Sequence, residues 1–149
     1  MKEKFEIIPF VSVNNMKFGM TLEDIEYLIG KPNDLINDEI MGEVRAYYSN
    51  FVLIFIRKKL IEFSFNESIG MNELEIIVNG VEIVNNVKII DVLSELPKSK
   101  PSEIKRGSIN FYGLGINLGG FKKSKYFPKK EIRVFSKGRI KYYELYLNA

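Results

Sequence analysis

Acidic side chains are densest in one short stretch of the chain. Residues 34–43 carry four carboxylates, at Asp34, Asp38, Glu39 and Glu43. Carboxylates at this density can contact a basic partner protein or take part in binding Mg²⁺. Their spacing matches no calcium loop, and Mg²⁺ would also need a substrate phosphate. We interpret the run as a candidate contact for a basic partner; the alternative is a solvated loop.

Basic side chains dominate the later part of the chain. Between Lys98 and Lys141 there are 13 Lys and Arg residues and two acidic ones, with aromatic residues interleaved. Cations beside aromatic rings suit single-stranded nucleic acid, whose phosphates bind cations and whose bases stack. The same residues suit an acidic protein surface, or simply a solubilising loop. The candidate contact residues here are Lys122, Lys123, Lys125, Tyr126, Lys129 and Lys130.

The two halves of the chain differ in charge. Residues 1–74 hold 8 Lys and Arg against 12 Asp and Glu, a net charge of −4, whereas residues 75–149 hold 14 against 7, a net charge of +7. Such asymmetry indicates either a charged partner or two differently solvated faces of one domain.

Several chemistries are excluded by composition. The chain has no Cys, His or Trp, which excludes disulfides, a zinc site with Cys or His ligands, and a Ser-His-Asp triad. The glycine-rich segment 113–120 has no following helix and lacks the Lys-Ser/Thr of a phosphate-binding loop, so it predicts strand bulges or close packing of the main chain. No general base is evident beside the tyrosines. We therefore predict a protein that is not an enzyme and has no cofactor and no metal.

Length and hydropathy predict one compact domain over residues 1–149. Apolar residues make up 46% and charged residues 28%, which is an ordinary globular balance. The longest apolar run, Phe51–Ile56, is too short to cross a membrane. The first residues carry acids and no apolar core of signal-peptide length. These features, with abundant Ile, Lys and Asn, predict a cytoplasmic bacterial protein without membrane contact.

The first half reads as one helix within a set of strands. Thr21 is a good N-cap, apolar residues follow at helical spacing, and Gly30 with Pro32 ends the helix. Residues 33–42 have apolar residues at helix-like intervals and predict a second short helical turn. The predicted strands are Glu6–Val13, Glu43–Tyr48, Phe51–Arg57 and Leu60–Phe65, of which the last three form a meander.

The second half repeats this order. We expect a strand pair over Glu75–Val84 that turns at Asn79-Gly80, a helix over Lys88–Leu96 and a polar link over 101–106. The further predicted strands are Ser108–Tyr112, Leu114–Phe121, Glu131–Phe135 and Ile140–Leu147.

Short matches between the halves predict an internal duplication. The clearest is Val13-Asn14-Asn15-Met16-Lys17 against Val84-Asn85-Asn86-Val87-Lys88, and another pairs Lys59–Asn66 with Arg139–Asn148. The predicted fold is α+β: two tandem units, approximately 5–70 and 74–149, each a short helix on an antiparallel meander. The second unit has an insertion at Lys122–Lys130. Edge-to-edge units would share one core and one sheet, with one face open to a partner.

One segment of the first half resembles a known family. Phe18-Gly19-Met20-Thr21, followed by Asp24-Ile25, Leu28-Ile29-Gly30 and Pro32, and then by Tyr47-Tyr48, is similar to the helix-plus-sheet unit of the β-lactamase-inhibitor-protein-like fold. Small outer-membrane assembly lipoproteins share this fold. The resemblance covers residues 16–66 and implies recognition of another protein, although the lipid-bearing cysteine of the lipoproteins is missing.

The resemblance sets the functional expectation. Small cytoplasmic chains of this shape include immunity proteins, which bind and silence a cognate bacterial toxin. We therefore expect a non-enzymatic protein-binding inhibitor that occludes the active site of a toxin. The alternative is a nucleic-acid-binding module that uses the basic C-terminal half.

Overall fold

The computed structural model describes residues 2–40, 42–85, 88–96, 101–103, 108–121 and 128–148. Within them the fold is α+β, as predicted, with two sheets rich in antiparallel pairs and few helices. None of the helices in these ranges is long and apolar enough to cross a membrane.

The N-terminal segment forms a small antiparallel ribbon. The single strand predicted over Glu6–Val13 is wrong, because the chain reverses between β1 (Glu3–Ile8) and β2 (Ser12–Val13). Phe10 takes a positive φ of 63° in this turn. A third short strand, β3 (Met16–Lys17), pairs with β2.

The first helix, α1 (Leu22–Ile29), confirms the predicted one and its capping box. The Asp24 N–H donates to the Thr21 hydroxyl at 3.2 Å, and the Thr21 N–H donates to the Asp24 carboxylate at 3.0 Å. These bonds satisfy amides that a helix start leaves unpaired. Gly30, with φ 87°, ends the helix.

The segment after α1 is a strand. The helical turn predicted within 33–42 is wrong, because residues 34–38 form β4 (Asp34–Asp38), which pairs antiparallel with β5 (Glu43–Tyr47). Its apolar spacing does not distinguish a short strand from a helical turn. Pairing with β5 supplies the hydrogen bonds that decide between the two.

The predicted meander is confirmed in β5, β6 (Val52–Ile56) and β7 (Lys59–Asn66). Ile54 opposes Glu62 and Phe55 opposes Leu60, so Ile61 is an extra residue in β7. This bulge directs Leu60 to the core face of the sheet and Glu62 to the opposite face.

The second half follows the predicted order up to its last element. β8 (Leu74–Val78) and β9 (Val81–Glu82) turn at Asn79-Gly80, where both residues have positive φ. The predicted polar link contains a short strand at residues 101–103. The remaining elements before the C-terminus are α2 (Ile89–Ser94), β10 (Pro101–Glu103), β11 (Ile109–Phe111), β12 (Ile116–Gly119) and β13 (Glu131–Phe135).

The last element is a helix. The strand predicted over Ile140–Leu147 is wrong, because these residues belong to α3 (Ile140–Asn148). The tyrosines favour a strand locally, but Tyr143 stacks on Phe135 with ring centroids 4.2 Å apart. The predicted match between Lys59–Asn66 and Arg139–Asn148 is wrong too, since the first segment is a strand and the second is largely helical.

The strands form two sheets, whereas one shared sheet was expected. The smaller sheet has the order β3-β2-β1-β8-β9, and β1 and β8 are parallel neighbours. The larger sheet has the order β10-β11-β12-β13-β7-β6-β5-β4. The two meanders therefore meet at their last strands, β7 and β13, in antiparallel register.

One hydrophobic core draws residues from both halves of the chain. The Phe5 ring of the smaller sheet meets the Phe65 ring of the larger sheet edge to face, with centroids 5.3 Å apart. Ile25 of α1 and Leu93 of α2 are fully buried in the same cluster. The opposite face of the larger sheet, called the outer face below, carries Glu62 and the residues packed on it.

Candidate functional site

The strand β4 forms one end of the larger sheet and pairs with β5 alone among the described strands. Leu35 and Ile36 are 43% and 47% exposed. An exposed edge with apolar side chains is unusual, because it offers unpaired main-chain groups to another chain. We call Asp34–Ile40 the β4 edge.

The β5–β6 hairpin shows which residues of β4 direct their main-chain groups away from the sheet. The Tyr48 N–H donates to the Phe51 carbonyl at 2.9 Å. Main-chain groups alternate in direction along a strand, so every second residue of β5 counted back from Tyr48 bonds to β6, and the residues between them bond to β4. The β5 residues directed to β4 oppose Asp34, Ile36 and Asp38. Leu35 and Asn37 therefore direct their N–H and C=O groups away from the sheet.

The Asp34 carboxylate confirms this orientation. It accepts a 2.8 Å hydrogen bond from the Leu35 N–H, one of the groups that β5 does not use. Asp38 accepts in the same way from the Ile40 N–H at 3.1 Å. The β4 edge thus holds its carboxylates close to its own main chain.

The four acidic residues predicted as one contact differ in burial, although Glu43 of β5 lies directly opposite Asp38 of β4. Asp34 and Glu39 are exposed and Asp38 is partly exposed on the β4 edge. Glu43 is only 4% exposed and binds Arg139 inside the protein. Three of the four predicted carboxylates are therefore placed to meet a partner.

Apolar side chains surround these acids. Ile40 is 96% exposed, and Leu35 lines a groove between β4 and the start of α1 together with Leu22 and Phe55. Large apolar residues at a polar-rimmed surface are typical of protein-interaction sites. Further exposed apolar residues on α1 are Tyr27, Leu28 and Ile29.

The basic candidates are only partly described. Lys122, Lys123, Lys125 and Tyr126 lie outside the described residues. Lys129 and Lys130 are exposed, in the connection between β12 and β13.

The described part of this connection is fixed by main-chain hydrogen bonds. The Lys130 N–H donates to the Glu67 carboxylate at 3.2 Å, and the Glu67 N–H donates to the Lys130 carbonyl at 2.9 Å. The Lys130 ammonium lies 5.3 Å from the Phe121 ring centroid. These contacts fix the main chain at Lys130 beside Glu67 and place the Lys130 ammonium against the Phe121 ring.

A second group of charged residues is buried on the outer face, where α3 begins. Arg139 reaches Glu43 at 3.0 Å and Glu62 at 3.6 Å. Arg133 lies 3.9 Å from the other Glu62 oxygen, and the Tyr143 hydroxyl donates to Glu62. Glu62 is fully buried, so this cluster joins β5, β7, β13 and the C-terminal helix.

Burial dominates the acid–base properties of the cluster. It raises the pKa of Glu62, against the lowering effects of Arg133, Tyr143 and Arg139. It also raises the pKa of Tyr143 well above the usual value, and the Glu62 charge acts in the same direction. A titratable pair of this kind can mark a catalytic site. Here Tyr143 and the arginines cover the carboxylate, which makes a structural ion pair the better interpretation.

The sequence interpretation missed this cluster. Glu62 stands between apolar residues in a strand, which predicts a solvent-facing position, and its cover comes from a helix that was predicted as a strand. Within the described ranges, no group of three or more carboxylates is arranged to hold a metal ion.

Comparison with protein-family models, with curated proteins and with solved structures finds no match to this chain.

Proposed function

We propose that this chain is a non-enzymatic protein-binding inhibitor, an immunity protein that neutralises a cognate bacterial toxin. The observation that carries the proposal is the β4 edge. It has exposed apolar side chains on a strand that pairs with β5 alone among the described strands, flanked by Asp34, Asp38 and Glu39. The apolar side chains of such a surface can be buried against a partner protein, and its carboxylates favour a partner that is basic. The resemblance over residues 16–66 supports the same class of function.

The charge of the β4 edge favours one class of toxin. Enzymes that cut nucleic acid bind phosphates through Lys and Arg, so their clefts are basic. Three carboxylates on the inhibitor would pair with those cations and steer the encounter. We propose that the β4 edge covers such a cleft and inhibits by excluding the nucleic acid substrate.

The nucleic-acid-binding alternative has less support from the described residues. Among the basic residues of the C-terminal half, Arg139 forms a buried ion pair with Glu43 at 3.0 Å and is withdrawn from a phosphate ligand. Arg133 has a side chain that is 30% exposed and pairs with Glu131 at 2.9 Å. Lys129 and Lys130 remain at the surface. They make the alternative testable.

Co-expression tests the proposal. Each protein domain encoded directly beside the gene for this chain is tested as the toxin by expressing it in a bacterial host with and without the chain. We expect growth arrest by the domain alone and restored growth with the chain. Continued arrest at equal toxin levels contradicts the proposal.

A fluorescent single-stranded oligonucleotide tests the alternative. We expect weak binding that the double substitution Lys129→Glu/Lys130→Glu leaves unchanged. Tight binding that falls steeply with salt and is lost in this variant would favour the nucleic-acid-binding function instead.

A further inference from the structure

The β4 edge offers main-chain hydrogen-bonding groups, and along the strand its apolar side chains lie between two carboxylates. We propose that the partner binds by strand addition: an extended basic and apolar segment pairs antiparallel with β4 as a ninth strand of the larger sheet. This inference deepens the proposed function and rests on it. All pairs within the larger sheet are antiparallel, so this orientation continues the sheet.

The main chain of β4 supplies the hydrogen bonds. Leu35 and Asn37 each direct an N–H and a C=O away from β5, which gives an incoming strand two donors and two acceptors. The Leu35 N–H is held by the Asp34 carboxylate in the free protein. An incoming carbonyl would replace that carboxylate, which would then pair with a cation of the partner.

The side chains of β4 define which order of residues in the partner strand is complementary to it. Asp34, Ile36 and Asp38 project from the outer face, and Leu35 and Asn37 project from the core-side face, because side chains alternate along a strand. From its N-terminus to its C-terminus, an antiparallel partner strand would therefore have a basic, a polar, two apolar and a basic residue in that order. The two basic residues oppose Asp38 and Asp34, and the two apolar ones oppose Ile36 and Leu35.

Charge argues against a second copy of this chain as the occupant. If two β4 strands paired about a two-fold axis at Ile36, Asp34 of each copy would oppose Asp38 of the other. Like charges directly opposite each other destabilise a strand pair. The carboxylates thus disfavour self-association at an edge that its apolar residues would otherwise favour.

A capped synthetic peptide provides the direct test. Its core reads lysine, threonine, valine, valine, lysine. Its control has the same composition in the order threonine, lysine, valine, lysine, valine, which moves both lysines away from Asp34 and Asp38. Both are titrated to millimolar concentration into the full chain and followed by amide NMR. We expect the peptide to shift the Leu35 and Asn37 amide signals, and the control peptide, whose lysines no longer oppose the two aspartates, to bind at least about tenfold more weakly.

Two variants separate strand addition from attraction by charge alone. Asn37→Pro removes one outward N–H without touching the bonds to β5, and Asn37→Ala keeps that N–H. We expect at least about tenfold weaker peptide binding by Asn37→Pro and a change within about twofold for Asn37→Ala, with both variants folded by NMR.

Each of three results overturns the inference: no shift at Leu35 and Asn37, equal binding by both variants, or equal binding of both peptides. Self-association through β4 in sedimentation would also overturn it, since a second copy would then be the occupant. If the inference fails while the chain still restores growth against the toxin domain, the proposed function stands and another surface binds the toxin.

Discussion

Single residues show how the chain divides its charges between the interior and the surface. Glu43 binds Arg139 at 3.0 Å inside the protein and Arg45 at 3.3 Å near the surface. Its neighbours on β4 face the solvent. The carboxylates of the acidic run therefore have different surroundings, since Glu43 pairs inside the protein and the other three lie at or near the surface.

Arg139→Met is expected to destabilise the protein strongly. It leaves both Glu43 and Glu62 buried without their shared cation, which costs about 3–5 kcal/mol in the free energy of unfolding. Arg45→Met is the matched control, because the Arg45 side chain is 44% exposed and its ion pair is worth less than about 1 kcal/mol. Urea denaturation measures both. Equal losses in the two variants would contradict the larger contribution assigned to the buried Arg139 pairs.

Tyr143→Phe is expected to change the pH dependence of stability. Burial holds the pKa of Tyr143 in the folded protein well above its usual value, so the unfolded chain releases this proton first as the pH rises. From about pH 10 upward this release favours unfolding by up to about 1.4 kcal/mol per pH unit. Tyr143→Phe has no hydroxyl to deprotonate, so it escapes this loss of stability at high pH. Near neutral pH it is less stable than wild type, because it lacks the hydrogen bond to Glu62.

The difference in unfolding free energy between wild type and Tyr143→Phe should therefore shrink above about pH 10. Denaturant titrations at a series of pH values measure it. A constant difference across that range would show that Tyr143 titrates normally.

Among the elements, those with strong local signals were predicted well. The cap at Thr21, the stop at Gly30 and the alternation in β5–β7 are properties of neighbouring residues, and α1 and the meander followed from them. β4 and α3 were predicted wrongly because contacts with other elements decide them. β5 supplies the hydrogen bonds of β4, and Phe135 and Glu62 hold Tyr143 of α3.

Thr21→Ala is expected to weaken α1. It removes the hydroxyl that accepts from the Asp24 N–H, a cap worth about 1 kcal/mol in the free energy of unfolding. Thr21→Ser is the control, since it retains the hydroxyl and should keep most of that stability. Urea denaturation compares the three proteins. Equal stability of Thr21→Ala and Thr21→Ser would show that the capping box contributes nothing.

At the scale of the whole molecule, both halves run from strands through a short helix to a four-stranded meander. The meanders meet at β7 and β13, which makes these strands the counterparts of each other. This order agrees with a duplication, which itself stays a prediction. The sequence could not predict the parallel pair of β1 and β8 or the existence of a second sheet, because both depend on residues about 70 positions apart.

The topology of the larger sheet also explains why the sequence predicted the acidic residues of the β4 edge but not their position in the fold. These residues are visible in the sequence, but the position of the edge at the end of the larger sheet follows from the pairing of all eight strands. The opposite end of that sheet is β10, from the half with a net charge of +7. Only the folded chain shows that the acidic run coincides with the last described strand of the larger sheet.

The affinity of charge-reversed chains for the toxin domain tests the central claim most directly. Asp34→Lys/Asp38→Lys reverses the β4 edge, and Glu73→Lys/Glu95→Lys makes the same change in net charge at exposed positions outside it. Calorimetric titration should show at least about tenfold weaker binding for the first variant and a change within about threefold for the second. Equal weakening by both variants, or none by the first, would contradict the assignment of the β4 edge as the binding surface.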